Sequence, residues 1–216
     1  MEKSLDTKLE QIRRGLYKPA DFIIADAKDA DMGGGIFCTG TQLENASSPK
    51  SYPEYLQAMR EMVSSSLVDL MLMSASSAER LVEEGVFENS SVSPAVRYND
   101  TTDIWGPRHS VYKQHPSRNF RTLHLNKLTS LVDLGLYSVT FSNDIEKDTE
   151  SLEGLRSFLS ELSSTRMRYF LEVFNPQVDI GISEDKIPEY INDCIVRCLA
   201  GLTRKDSPLF LKIPFN

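Results

Sequence analysis

Two apolar stretches of the chain each carry one ionisable residue: Glu172 in Phe170-Leu171-Glu172-Val173-Phe174 and Lys212 in Leu209-Phe210-Leu211-Lys212-Ile213-Pro214-Phe215. A charge in such a setting is expensive unless it is paired. A lysine held in a poorly hydrated pocket near other cations loses its proton more readily, and the neutral amine attacks carbonyl carbon. A carboxylate beside it can pair with the resulting iminium or relay protons. A purely structural Lys–Glu ion pair between neighbouring strands accounts for the same pattern equally well.

Other polar groups collect where strands are expected to end, which is where α/β folds place their chemistry. The first such cluster is Asp26-Ala27-Lys28-Asp29-Ala30-Asp31, the next Arg97-Tyr98-Asn99-Asp100, and a third runs from Thr140 to Asp144. Arg97 and Asn99 are candidate substrate contacts. Asp26, Asp29 and Asp31 could in principle hold Mg²⁺, although Asp29 and Asp31 also read as solvated loop residues. His109 and His115 lack a recognisable zinc spacing, so no metal is expected. Cys194 and Cys198, four apart on one helix, read as small core residues. Three cysteines give no disulfide framework. The segment 101–126 is long for a connection that usually takes about 2–6 residues. Its cations, Arg108 among them, suit a lid over an anionic substrate; a solvated insertion or an oligomer contact is the alternative.

The elements that position these residues alternate. Strands are expected at 22–26, 67–74, 93–98, 136–141, 168–174 and 209–215. Helices are expected at 53–65, from Ser76 to about Gly85, 149–162 and 188–202, with apolar residues on one face of each. Continuous apolar strands separated by amphipathic helices predict a parallel sheet covered on both faces. That leaves a (β/α)₈ barrel or an open doubly wound sheet. No G-x-G-x-x-G or Walker loop follows any strand, and Gly33-Gly34-Gly35 comes too late for dinucleotide spacing.

FLEVFNP around Glu172, LFLKIPFN around Lys212 and FIIADAK around Asp26 resemble strands of the class I aldolases, especially the tagatose-bisphosphate and fructose-bisphosphate branch. The resemblance runs from about residue 20 to the end on short motifs. It implies an aldolase-type (β/α)₈ barrel, of which this chain holds about six βα units. Residues 1–216 would form one domain, incomplete at its C-terminus, since such a barrel takes about 250 residues; a six-stranded open sheet is the alternative. The resemblance also implies Lys212 as Schiff-base lysine, Glu172 as proton shuttle and Asp26 beside the reacting carbons. Lys28 falls where that branch carries a basic residue. One position departs: the family carries a second strand lysine in a V-K-F context, and this chain has Val139-Thr140-Phe141. Thr140 would line the site without supplying that cation.

The expected activity is therefore carbon–carbon lyase chemistry on a sugar phosphate or related polyhydroxy carbonyl compound, with no cofactor. The alternatives are an isomerase or metal-assisted lyase of the same superfamily, and a non-catalytic sugar-phosphate-binding barrel. A net charge of −7 argues against nucleic-acid binding but not against a small anionic substrate in a locally basic site. The charged N-terminus is no secretory signal, and no apolar run is long enough to span a membrane. The expectation is a cytoplasmic protein and a possible homo-oligomer.

Overall fold

The computed structural model describes residues 1–128 and 131–215. The chain divides into two compact units, Met1–Val96 and Arg97–Asn216.

In the first unit, helix α1 (Ser4–Arg13) precedes strand β1 (Ala25–Lys28), helix α2 (Tyr52–Ser65), strand β2 (Leu70–Met73), helix α3 (Ala75–Glu83) and strand β3 (Ser93–Arg97), whose last residue already belongs to the second unit. β1, β2 and β3 pair in parallel, with Ala25 opposite Leu70 and Leu70 opposite Ser93. Every residue of β2 is buried, as a strand covered on both faces requires. α2 opens on a capping box: Ser51 and Glu54 satisfy each other's backbone N–H groups, with Pro53 in the first turn. The helix expected from Ser76 starts one residue earlier. Ser74 caps α3, accepting from Ser77 N at 3.3 Å.

The first strand starts later than its apolar run. Phe22 is exposed, and the backbone of Ile24 is held by Asp69, whose Oδ2 accepts from Ile24 N at 2.7 Å while its own N donates to Ile24 O at 2.8 Å. A carboxylate thus replaces a strand ladder at the entry to β1.

The second unit contains strands β4 (Asn99–Thr101), β5 (Asn119–Arg121) and β6 (Leu134–Thr140), helix α4 (Ile145–Leu162), strand β7 (Arg168–Phe174), helix α5 (Ile187–Leu199) and strand β8 (Leu211–Lys212). β6, β7 and β8 pair in parallel; β4 and β5 pair with each other in antiparallel fashion. α4 begins at Ile145 rather than Thr149 because Asp144 accepts from the N–H groups of Glu146 and Lys147. Its apolar face seats Phe158 against Tyr137, with ring centroids 4.5 Å apart, and against Tyr98 at 5.3 Å. Gly135 leaves room for this cluster: a Cβ there would lie 2.3 Å from the Tyr98 ring.

The α/β class and the parallel strands stand, but the (β/α)₈ barrel expectation is overturned because the strand and helix counts do not fit it. Among the described residues six strands run parallel to a neighbour, and only four α-helices follow a strand. Between β3 and β6 the described residues hold no α-helix; β4, β5 and short 3₁₀ turns fill that connection. The reason is compositional, since that segment has no sustained apolar face for a helix to bury. The last strand is also shorter than expected, two residues instead of seven, and both are exposed. Pro208 and Pro214 bracket it, and neither has an N–H to give a ladder. No helix among the described residues is long and apolar enough to cross a membrane.

Candidate functional site

Strand register builds the site. In the paired strands β6, β7 and β8, Ser138 lies opposite Glu172 and Glu172 opposite Lys212. Because side chains alternate across a strand, residues matched in this way share one face. Thr140 and Phe174, two residues further on and also paired, continue the same face.

Glu172 is only 3% exposed. One carboxylate oxygen contacts Lys212 Nζ; the other accepts from Ser138 Oγ at 3.0 Å and from the Arg97 guanidinium at 3.4 Å. Arg97 also donates to Ser138 Oγ at 3.0 Å, lies 3.6 Å from Asp100 Oδ1 and sits over the Phe174 ring. Asp100 in turn accepts from Trp105 Nε1 at 2.8 Å and Thr101 N at 2.9 Å. The result is a run of alternating charge, Lys212, Glu172, Arg97 and Asp100, in which each buried ion has an opposite neighbour. A buried ion pair persists only with such additional hydrogen bonds. The Lys212 side chain is 47% exposed, so its amine is reachable from solvent while its carboxylate partner is not.

The other expected site residues fall into three groups. Asn99 is fully buried, and its amide is engaged with backbone: Ser138 N donates to its Oδ1 and its Nδ2 donates to Ser138 O, both at 2.7 Å. It ties its own segment to β6. Thr140 donates to Asp103 Oδ1 at 3.4 Å within a buried hydroxyl cluster that includes Thr101 and Ser117. Burial pushes the Asp103 carboxyl above the usual carboxylate range, against the opposing effect of those hydroxyls. Arg108 lies exposed in the connection between β4 and β5. Asp26 and Lys28 belong to the first unit, two apart on β1, and pair with each other at 3.6 Å.

Sequence reasoning missed Ser138 and Asp103. Ser138 was detectable as a hydroxyl two residues before Thr140 on an otherwise apolar strand. Asp103 carried no such signal, because only the fold of the long connection brings it to Thr140. That connection is organised around Trp105, whose ring meets Tyr112 and Phe120 edge-on at 5.2 and 4.9 Å. Of its cations, Arg121 is committed to Glu161 at 2.9 Å and to the face of Phe158.

No family model and no curated protein matches the chain. Among solved structures it is similar to the crystal structure of Cgl0159 from Corynebacterium glutamicum (Brevibacterium flavum), at a TM-score of 0.62 and 15% sequence identity, over 98% of this chain and 73% of that one. At that identity the likeness is one of fold.

Proposed function

We propose that this chain carries an imine-forming, class I aldolase-like lyase site for a polyhydroxy carbonyl compound, with Lys212 as nucleophile. The observation that supports the reading most is the row Ser138–Glu172–Lys212, in which a buried carboxylate braced by Arg97 touches an accessible amine.

The chemistry follows from the charges. Lys212 passes a proton to Glu172 and adds as the neutral amine to the substrate carbonyl; that proton then returns to the carbinolamine hydroxyl, which leaves as water, and a protonated imine remains. That iminium carries the positive charge the ammonium carried before, so its pairing with Glu172 survives the covalent step. A base removes the proton from the β-hydroxyl, the Cα–Cβ bond breaks, and its electron pair moves into the iminium to give an enamine and a released aldehyde. Protonation of the enamine carbon and hydrolysis return the amine and the second product. Glu172 is the group placed to carry protons to and from the nitrogen and the adjacent carbon. Arg97 and Ser138 hold its far oxygen, fixing which oxygen faces Lys212.

Borohydride trapping with a panel of ketoses and aldehydes, read by mass spectrometry, tests the reading. A reduced adduct on Lys212 that disappears in Lys212→Arg is expected. Tight reversible binding of the same compounds without any adduct would favour a binding protein instead.

A further inference from the structure

The connection from β7 to α5 borders an open cavity of about 690 Å³, lined among the described residues by residues of 175–187. It opens directly after the last residue of β7, at the carboxyl end of the strand that carries Glu172. Asn175 is three residues on from Glu172, roughly 10 Å along an extended chain. The cavity wall is fixed to the neighbouring strand end. Asn143, which takes a left-handed conformation (φ 54°) just past β6, donates from Nδ2 to Ile180 O at 3.0 Å. Its backbone N–H donates to Tyr190 Oη at 2.8 Å, and Tyr190 donates to Asp148 at 3.1 Å. A cavity walled by an anchored connection at a strand's carboxyl end is where α/β proteins seat ligands.

Its lining has a definite chemistry. Asn175, Gln177 and Ser183 offer amide and hydroxyl groups, Asp179 and Glu184 offer carboxylates, and Ile180, Ile182 and Ile187 offer aliphatic surface. Among the described residues no lysine, arginine or histidine lines it. Two carboxylates without a lining cation repel a phosphate, and the net charge of the chain, −7, adds to that repulsion. A hydroxyl-rich chain or ring fits instead, presenting O–H donors to the carboxylates and amide oxygens and C–H faces to the isoleucines.

We infer that this cavity binds the hydroxylated end of an uncharged substrate, so that the carbonyl compound presented to Lys212 is an unphosphorylated polyol ketone or aldehyde. The inference rests on the imine reading for its chemistry, and its test is arranged so that the two can fail separately. Hydroxyacetone, too short to reach the cavity, reports on imine formation alone. An unphosphorylated hexulose and its 6-phosphate, trapped in parallel, report on the cavity. The neutral sugar should be trapped at least about ten-fold faster than the phosphate ester. Changing the exposed pair to Asp179→Asn and Glu184→Lys should reduce or reverse that preference while leaving the hydroxyacetone rate unchanged. Equal or faster trapping of the phosphate ester by the unaltered protein would overturn the inference, as would an unchanged preference in the double variant. If hydroxyacetone gives no adduct, calorimetric binding of the two hexuloses decides: neutral-sugar binding lost in Ile182→Trp keeps the cavity assignment without the imine, and no neutral-sugar binding ends it.

Discussion

Two buried or half-buried carboxylates, one in each unit, sit beside serine hydroxyls and behave differently. Asp31 in the first unit accepts from Ser74 Oγ at 2.6 Å and from Ser77 Oγ at 3.2 Å. Its partners here are hydroxyls, and burial raises its pKa above the ordinary value despite them. Glu172 in the second unit accepts from one hydroxyl, that of Ser138, and has a cation on each side. Asp31 ties a loop to the start of α3 through its capping serine; Glu172 ties three strands' polar groups together through Arg97, Ser138 and Lys212. A carboxylate flanked by hydroxyls is a fastening, and one flanked by cations is a charge reservoir.

The sharpest way to break this contrast is Lys212→Met. It should abolish borohydride-trapped adduct and lower any lyase rate by at least about a thousand-fold, with only a small change in urea midpoint because the side chain is half exposed. Next comes Arg97→Met, which leaves Glu172 and Asp100 buried without their shared cation. The expected loss is about 3–5 kcal/mol in urea unfolding. Glu172→Gln should cost about 1–3 kcal/mol, since two cations lose their anion, and should slow turnover by roughly 10²–10⁴-fold in steady-state kinetics.

The same isosteric change at the other carboxylate, Asp31→Asn, should do the opposite. Because the folded protein binds the Asp31 proton more tightly than the unfolded chain, this stabilising contribution is complete below the unfolded value near 3.8. It is lost as pH rises through the raised folded value. Removing the titration should flatten that part of the stability–pH profile and leave the variant as stable as the parent, or more stable by about 1 kcal/mol, at neutral pH. Urea midpoints measured from about pH 4 to pH 7 check it; a variant weakened at neutral pH would end the contrast. Smallest is Ser51→Ala, which removes one half of the capping box on α2 and should cost about 1 kcal/mol.

How much of this was legible in the sequence depended on the range of the interactions. The apolar runs of β2, β6 and β7 and the amphipathic faces of α2 and α4 are local patterns, and they were readable. The Glu172–Lys212 pair was readable too, because each residue interrupts an apolar strand and the two strands follow one another. Ser138 shows as a hydroxyl on an apolar strand, but its alignment with Glu172 does not, since strand register is not encoded in spacing along one chain. The barrel expectation failed at the segment after β3, where a long polar connection was read as an insertion between regular units. That segment builds its own antiparallel pair, and its Asp103 reaches Thr140, the position where a lysine was expected.

Asn99 has a consequence of a different kind. Its main chain stands opposite Arg121 in the β4–β5 pair, while its side-chain amide grips both backbone groups of Ser138. One residue thereby belongs to two ladders, its carboxamide imitating the peptide group that a departing strand would otherwise take away. The exposed turn around Arg108 and His109 can then vary in length and sequence without loosening the strand that carries Ser138. Evolution is given a splice site there: new loops can be tried above a row of polar side chains whose spacing does not depend on them.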